Sequence, residues 1–262
     1  MKLVDLSSML YSVVTHSRFP VVVAIVAVLL SLPALWQGLK LDDYYQRAAI
    51  LGLSTGEVSL RGDPAHLYAF MDGNPDHTLA LIDTGNLPWW TDPEVKGKFF
   101  RPVSALSHLI DYSLWPDHPL MMHAHSLVWL FAVVLAAGVL YRRLFGALGT
   151  AGLALLLFAF DDAHATLVGW IAQRNTLVTM LFGILALLAH HRWRAESWRP
   201  GRIVAPGLFA TALLAGEAGI ATFAYLAAHV AHCPEQSSCQ QHLGSADADC
   251  HSDPEPGSLY RR

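Results

Sequence analysis

Charge is scarce in this chain: 15% of its 262 residues are Asp, Glu, Lys or Arg, against about 25% in an ordinary soluble domain. The 17 basic residues do not match the 21 acidic ones, and the net charge is -4. Nothing in this balance suggests a nucleic-acid binder, which would normally show a basic face. Cysteine is nearly absent: three residues, Cys233, Cys239 and Cys250. They make an odd number with no C-x-x-C spacing, so neither a zinc ribbon nor a closed disulfide set is indicated. P-loop, G-x-S-x-G and dinucleotide fingerprints are also missing.

Apolar residues are abundant, at 53% with a mean hydropathy of +0.36. They collect in long runs separated by short charged stretches, the pattern expected when lipid is the solvent. The first, 19–39, is uncharged and long enough to cross roughly 30 Å of hydrocarbon. It is too long for a signal-peptide core, and Leu32-Pro33-Ala34-Leu35-Trp36 lacks small-residue cleavage character, which favours an uncleaved anchor. Further runs lie at 120–144, 147–160, 167–189 and 203–230, the last with Glu217 near its middle. Run 147–160 would rise only about 21 Å as a helix, so it and 167–189 form either two spans or one re-entrant hairpin.

Basic residues set the orientation. Lys2 and Arg18 precede the first run, Arg142 and Arg143 follow the second, and Arg192, Arg194, Arg199 and Arg202 separate the last two. A cytoplasmic N-terminus puts all three clusters in the cytoplasm. The expected fold is therefore all-α: a polytopic helical membrane protein of about five transmembrane helices. Residues 1–18 form its cytoplasmic N-terminus, 19–230 the membrane domain, and 40–117 a non-cytoplasmic loop of short helices. Within that loop, 41–53, 64–71 and 102–114 are expected to be helical, and 72–98, rich in Gly, Pro and Asp, to be turns and loop. Residues 231–262 lose all apolar periodicity and suit a disordered tail or the product of a shifted reading frame.

Two acidic pairs, Asp42 and Asp43 after the first run and Asp161 and Asp162 after the third, fall on the same membrane face in this topology. Four carboxylates there could hold a divalent cation, with Asp43 and Asp162 the first metal candidates, or one of them could instead act as a general base. The alternative is helix capping, with Asp42 an N-cap and Asp43 paired to Arg47. Arg174, beside Gln173 and Asn175, is costly so close to hydrocarbon and faces either a cavity or a partner, unless it snorkels to the interface. Its forked donors suit phosphate. Arg101, with Lys96 and Lys98, suits anionic headgroups, and Glu217 must face protein or water. His118, His123 and His125 match no zinc motif, and Asp72, Asn74 and Asp76 begin an EF-hand-like loop that has His77 in place of its Gly and Asp83 in place of its Glu.

The segments DDYYQR, FFRPVSALSHLIDYSLWPDHPLMMHAHSLVWLF and LLLFAFDDAHATLVGWIAQRNTLVTMLFGILALLAHHRW resemble the membrane module of GT-C glycosyltransferases. The likeness is to the transmembrane and tetratricopeptide-repeat O-mannosyltransferases and their bacterial relatives. The matching positions are Asp42 and Asp43, Arg101-Pro102, His123 and the segment 169–174. Asp161-Asp162-Ala163-His164 stands where relatives have a His-Pro-x-His-like turn, and Gly216-Glu217 where they have Lys-Glu. The resemblance implies sugar transfer from a polyprenyl-phosphate-linked donor at the outer face of a bacterial inner membrane. Asp42, Asp43, Asp161 and Asp162 would be its catalytic carboxylates, and Arg101, His123, Arg174 and Glu217 its substrate-binding residues. It also implies that the chain corresponds to the N-terminal part of such an enzyme. A transporter or non-catalytic scaffold is the competing class, with Glu217 and Arg174 lining a pathway or holding helices together. The paired broken repeats expected of a transporter are not evident.

Overall fold

In a computed structural model, which describes residues 3–52 and 67–232, the chain is helical almost throughout. Helix α1 (Leu3–Thr15) leads into α2 (Phe19–Ser31), which continues as a tighter turn, Leu32–Trp36. The polar segment holds α3 (Asp42–Leu51), strand β1 (Ala69–Asp72), α4 (Pro75–Asp83), strand β2 (Lys96–Lys98) and α5 (Pro102–Leu114). The remainder is α6 (Pro119–Leu144), α7 (Leu148–Ala159), α8 (Ala163–Gly169), α9 (Arg174–Ala195), α10 (Gly201–Ala215) and α11 (Ala221–His232).

Among the described residues, three helical segments are long and apolar enough to cross a membrane: Phe19–Trp36, Pro119–Leu144 and Ile171–Ala195. Helices α7 and α8, bent by 51° at Asp161 and Asp162, make a fourth if they form one span. Alanine and glycine let the helices approach closely, as membrane helices do. Val23, Ala24 and Ala27 of α2 pack on Leu130, Val133 and Ala137 of α6, with Leu155 of α7 and Leu177 of α9 completing the cluster. A Cβ on Gly138 would lie 2.7 Å from Pro20, so the α2–α6 crossing needs glycine there.

The last apolar run departs from expectation. Instead of one span with Glu217 midway, 203–230 is two helices joined by Glu217–Ile220. Helix α10 ascends beside α9, from Gly201 packed against Ala189 and Trp193 to Gly216 beside Asn175 and Thr179. Helix α11 then returns parallel to α9, with Thr222 against Gly183 and His229 bonded to His191. Phe209 and Phe223 stack across the hairpin at 6.4 Å. Gly219 makes the fold-back possible, since a Cβ there would sit 2.8 Å from the Ala212 carbonyl. Backbone on both sides cannot yield, so Gly219→Ala is expected to cost about 1–3 kcal/mol. A lowered unfolding midpoint in detergent would show it, and an unchanged midpoint would contradict this packing.

The segment before α5 also differs in part. Residues 67–72, expected to be helical, form a turn and β1, antiparallel to β2; Pro64, Ala65 and His66 lie outside the described residues. The supposed loop 72–98 contains α4, because Asn74 caps its N-terminus by accepting from the Asp76 N–H and Pro75 opens its first turn. Asp72 accepts from the Asn74 N–H at 2.9 Å and bonds His77 at 2.8 Å, so the EF-hand-like residues serve this cap. Residues 102–114 form α5 as expected. Helix α5 is inside-out: Ser104, Ser107, His108 and Asp111 are buried, while Leu106, Ile110 and Leu114 are exposed. A polar face turned inward and an apolar face outward is the arrangement of a helix touching hydrocarbon. The tail 233–262 lies outside the described residues.

Candidate functional site

The start of α3, helix α5, the first three turns of α6, the start of α9 and the tip of the α10–α11 hairpin meet at the end of the bundle opposite Arg142 and Arg143. A sealed polar layer lies beneath an accessible rim.

Arg174 is the centre of the sealed layer. It opens α9 and is 0% exposed. Its Nε donates to Ser126 Oγ at 2.9 Å, its Nη2 to the Met122 carbonyl at 2.6 Å, and its Nη1 to Asp111 and to the Ser107 carbonyl. Asp111, also 0% exposed, turns its other oxygen to His125 Nδ1 at 2.6 Å. The Trp129 indole, which can only donate, bonds His125 Nε2 at 3.0 Å. Nε2 is therefore the acceptor, and the ring proton sits on Nδ1, facing Asp111. Tyr68 and His108 share a further hydrogen bond of 3.0 Å. Burial, with the positive charge of Arg174 adding to it, holds His108 well below the usual imidazole range.

Asp43 and His123 are sealed as well. Asp43 accepts from the Ala172 N–H at 2.7 Å and the Lys40 N–H at 2.8 Å. It does not pair with Arg47, which binds Asp117. Burial pushes the Asp43 carboxyl up, against the backbone N–H groups of Lys40, Ala172 and Ile171 and the charge of His123. His123 faces the Val168 carbonyl at 2.8 Å and the Gly38 carbonyl at 2.9 Å. Both bonds form together only with a proton on each nitrogen. His123 thereby ties α6 to α8 and to the exit of the first span.

The rim contains Asp42, Arg101, Glu217 and Asn175. The turn into α3 is strained, with Leu41 at φ +37, and Asp42 follows it. Burial raises the Asp42 carboxyl above the ordinary carboxylate value, opposed by Arg101. Arg101 Nε and Nη2 bind Glu217 at 2.8 and 2.7 Å. In the amide orientation that satisfies both of its ends, Asn175 accepts from Arg101 Nη1 at 3.2 Å and donates to the Ala172 carbonyl at 2.8 Å. The guanidinium carbon lies 4.6 Å from the Phe99 ring centre and 5.1 Å from that of Tyr68. Three of five N–H bonds are thus used among the described residues. The Arg101 side chain is 19% exposed and that of Glu217 53%. This rim is polar and open.

Asp161 and Asp162 are exposed at the α7–α8 bend, where Asp161 accepts from the Ala163 N–H. The structure does not join them to Asp42 and Asp43 as a ligand set: among the described residues no three His, Cys, Asp or Glu side chains gather as a metal-binding group. Asp111, His108, Tyr68 and Asn175 were not singled out from sequence. The first two had a legible signal, the polar stripe Ser104, Ser107, His108, Asp111 at helical spacing opposite Leu106, Ile110 and Leu114. No protein-family model, curated protein or solved structure matches the chain.

Proposed function

We propose that this protein is a glycosyltransferase-like membrane protein that takes a sugar from a polyprenyl-phosphate-linked donor at the rim formed by Asp42, Arg101 and Glu217. One observation carries the reading: a guanidinium with unassigned N–H bonds is fixed by Glu217, Asn175 and two aromatic rings next to a carboxylate of raised proton affinity. The resemblance to GT-C enzymes supplies the donor class. In the transfer step the acceptor oxygen bonds to the sugar's anomeric carbon and loses its proton to Asp42. The bond to the donor phosphate breaks, and the departing polyprenyl phosphate carries the electron pair. Arg101 stabilises that charge, which is greatest as the bond breaks. Asp43, His123 and Arg174 position the rim from beneath.

Five spans accompany this reading: α2 with its extension, α6, the α7–α8 pair, α9 and α10, with the 12-residue α11 folding back along α9 as the short arm of the last hairpin. The bundle end with Arg142, Arg143, Arg192 and Arg194 is cytoplasmic in a bacterial inner membrane, with the N-terminus on that side and 40–117 outside. Compartment reporters fused at Gly73 and Glu196 are expected to give opposite signals; the same signal from both would refute the orientation.

Arg101→Lys tests the donor site. The charge remains but the fork to Glu217 and Asn175 is lost. Removing a charge-assisted hydrogen bond costs roughly 1.5–3 kcal/mol, so the donor KM should rise by at least tenfold in a transfer assay with a polyprenyl-phosphate sugar. Unchanged KM and kcat would exclude Arg101 from the donor site. A non-catalytic scaffold would show no transfer in the unsubstituted protein either.

A further inference from the structure

A lateral groove of about 540 Å³ separates α6 and α7 from α9 and α11, running from Thr176 and Ala218, next to the rim, to the arginine end of the bundle. Its α9 wall runs from Thr176 to Leu187, about 16 Å along the helix axis. The walls are mostly hydrocarbon, and at the arginine end of the bundle they finish at Leu144, Leu187 and His229.

Among residues 140–146, 190–203 and 226–232, that end carries more positive than negative charge. His191 Nδ1 contacts His229 Nε2 at 3.0 Å, and the His190 and His229 rings stack edge-on at 5.2 Å. Arg143 is within electrostatic reach of His191, and Arg194 of His190 and His229. Arg143 and Arg192 share one carboxylate, Glu196, which is the only acidic residue in 140–146, 190–203 and 226–232. His229 lines the groove, and its Nδ1 and the Nε2 of His190 are buried with no hydrogen-bond partner among the described residues. Such orphaned polar atoms are rare in folded proteins and call for a missing partner. Cationic excess, orphaned imidazole nitrogens and an apolar channel beginning at the same place describe an amphiphile with an anionic head.

We propose that this groove binds one anionic diacyl phospholipid, with its phosphate at His229, His191 and Arg143 and one acyl chain along α9 toward Thr179. The site is on the opposite leaflet from the proposed donor rim and does not depend on that reading. A juxtamembrane basic group contributes about 1 kcal/mol to anionic-lipid binding, roughly fivefold in affinity.

The test reconstitutes the full chain in phosphatidylcholine containing a minor fraction of phosphatidylglycerol, extracts it into mild detergent and counts retained lipid by native mass spectrometry. One phosphatidylglycerol per chain should be retained over phosphatidylcholine. Arg143→Gln should weaken retention roughly fivefold, and His229→Phe, which removes a hydrogen bond to the phosphate, by about tenfold or more. Ala221→Phe, which fills the groove and leaves every charge in place, should abolish retention of the long-chain lipid but not binding of soluble short-chain phosphatidylglycerol. Equal retention of the two phospholipids, unchanged retention in the first two variants, or displacement by polyprenyl phosphate at equal concentration would each overturn the proposal. Loss of transfer activity at Arg101 leaves these readouts untouched, so the two readings fail separately.

Discussion

Arg174→Met is expected to destabilise the protein by about 3–5 kcal/mol, the usual cost of removing one partner from a buried ion pair. Asp111 would remain fully buried with His125 as its neutral partner, and the carbonyls of Ser107 and Met122 would lose their donor. Arg174→Lys should recover only part of the loss. A lysine ammonium can neutralise Asp111, but it cannot reach Ser126 and the Met122 carbonyl in the same planar fork. The double variant Arg174→Met, Asp111→Leu removes both charges and should be much closer to the original stability than Arg174→Met alone, since an apolar pair of similar volume leaves no uncompensated ion. Unfolding midpoints in detergent would decide it. Additive losses in the double variant would mean that the two residues do not act as a pair.

Neutralising Asp42 should have the largest effect on turnover. A general base contributes typically 10²- to 10⁴-fold, so Asp42→Asn is expected to lower kcat by that factor and leave stability within about 0.5 kcal/mol. Asp43→Asn should behave differently. One amide oxygen can still accept from Ala172 or Lys40, but the new NH₂ then faces the other N–H, which leaves a buried donor unsatisfied at about 1–3 kcal/mol. Its effect belongs to stability first and to rate through a displaced start of α9. The pH profile separates the roles further. Because burial raises the Asp42 carboxyl, transfer should be full above its raised pKa and fall as acidity protonates it, with the limb above the ordinary carboxylate range. Full activity in Asp42→Asn would remove the chemical basis of the proposed mechanism.

The membrane character was legible because apolar runs are long and lipid imposes a simple length rule. The run expected at 120–144 is α6, Pro119–Leu144, and that at 167–189 is α9 shifted toward its arginines, Arg174–Ala195. The α10–α11 break was not legible. Hydropathy averages over Gly216, Glu217 and Gly219, whereas the break depends on how closely Gly219 approaches Ala212. The site was half legible. Arg101 and Glu217 each stood out as charges needing a partner, but their meeting across 116 positions is set by the hairpin. Asp43 and Arg174 stood out for the same reason, and sequence could not tell a sealed charge from an open one. The polar stripe that holds Asp111 is legible at helical spacing, but sequence does not tell whether such a stripe faces water or a buried guanidinium.

The Asp111–Arg174 pair also dictates an order of events during synthesis. The partners are 63 positions apart. At about 5–20 residues per second the ribosome delivers Arg174 roughly 3–13 s after Asp111. Throughout that interval Asp111 has His125, 14 positions on, but lacks the guanidinium that completes the sealed layer. Helix α5 is therefore expected to stay on the aqueous side, with Leu106, Ile110 and Leu114 uncovered, until α9 has been inserted. A nascent chain arrested between α8 and α9 should leave α5 open to protease, and one extended past α9 should protect it.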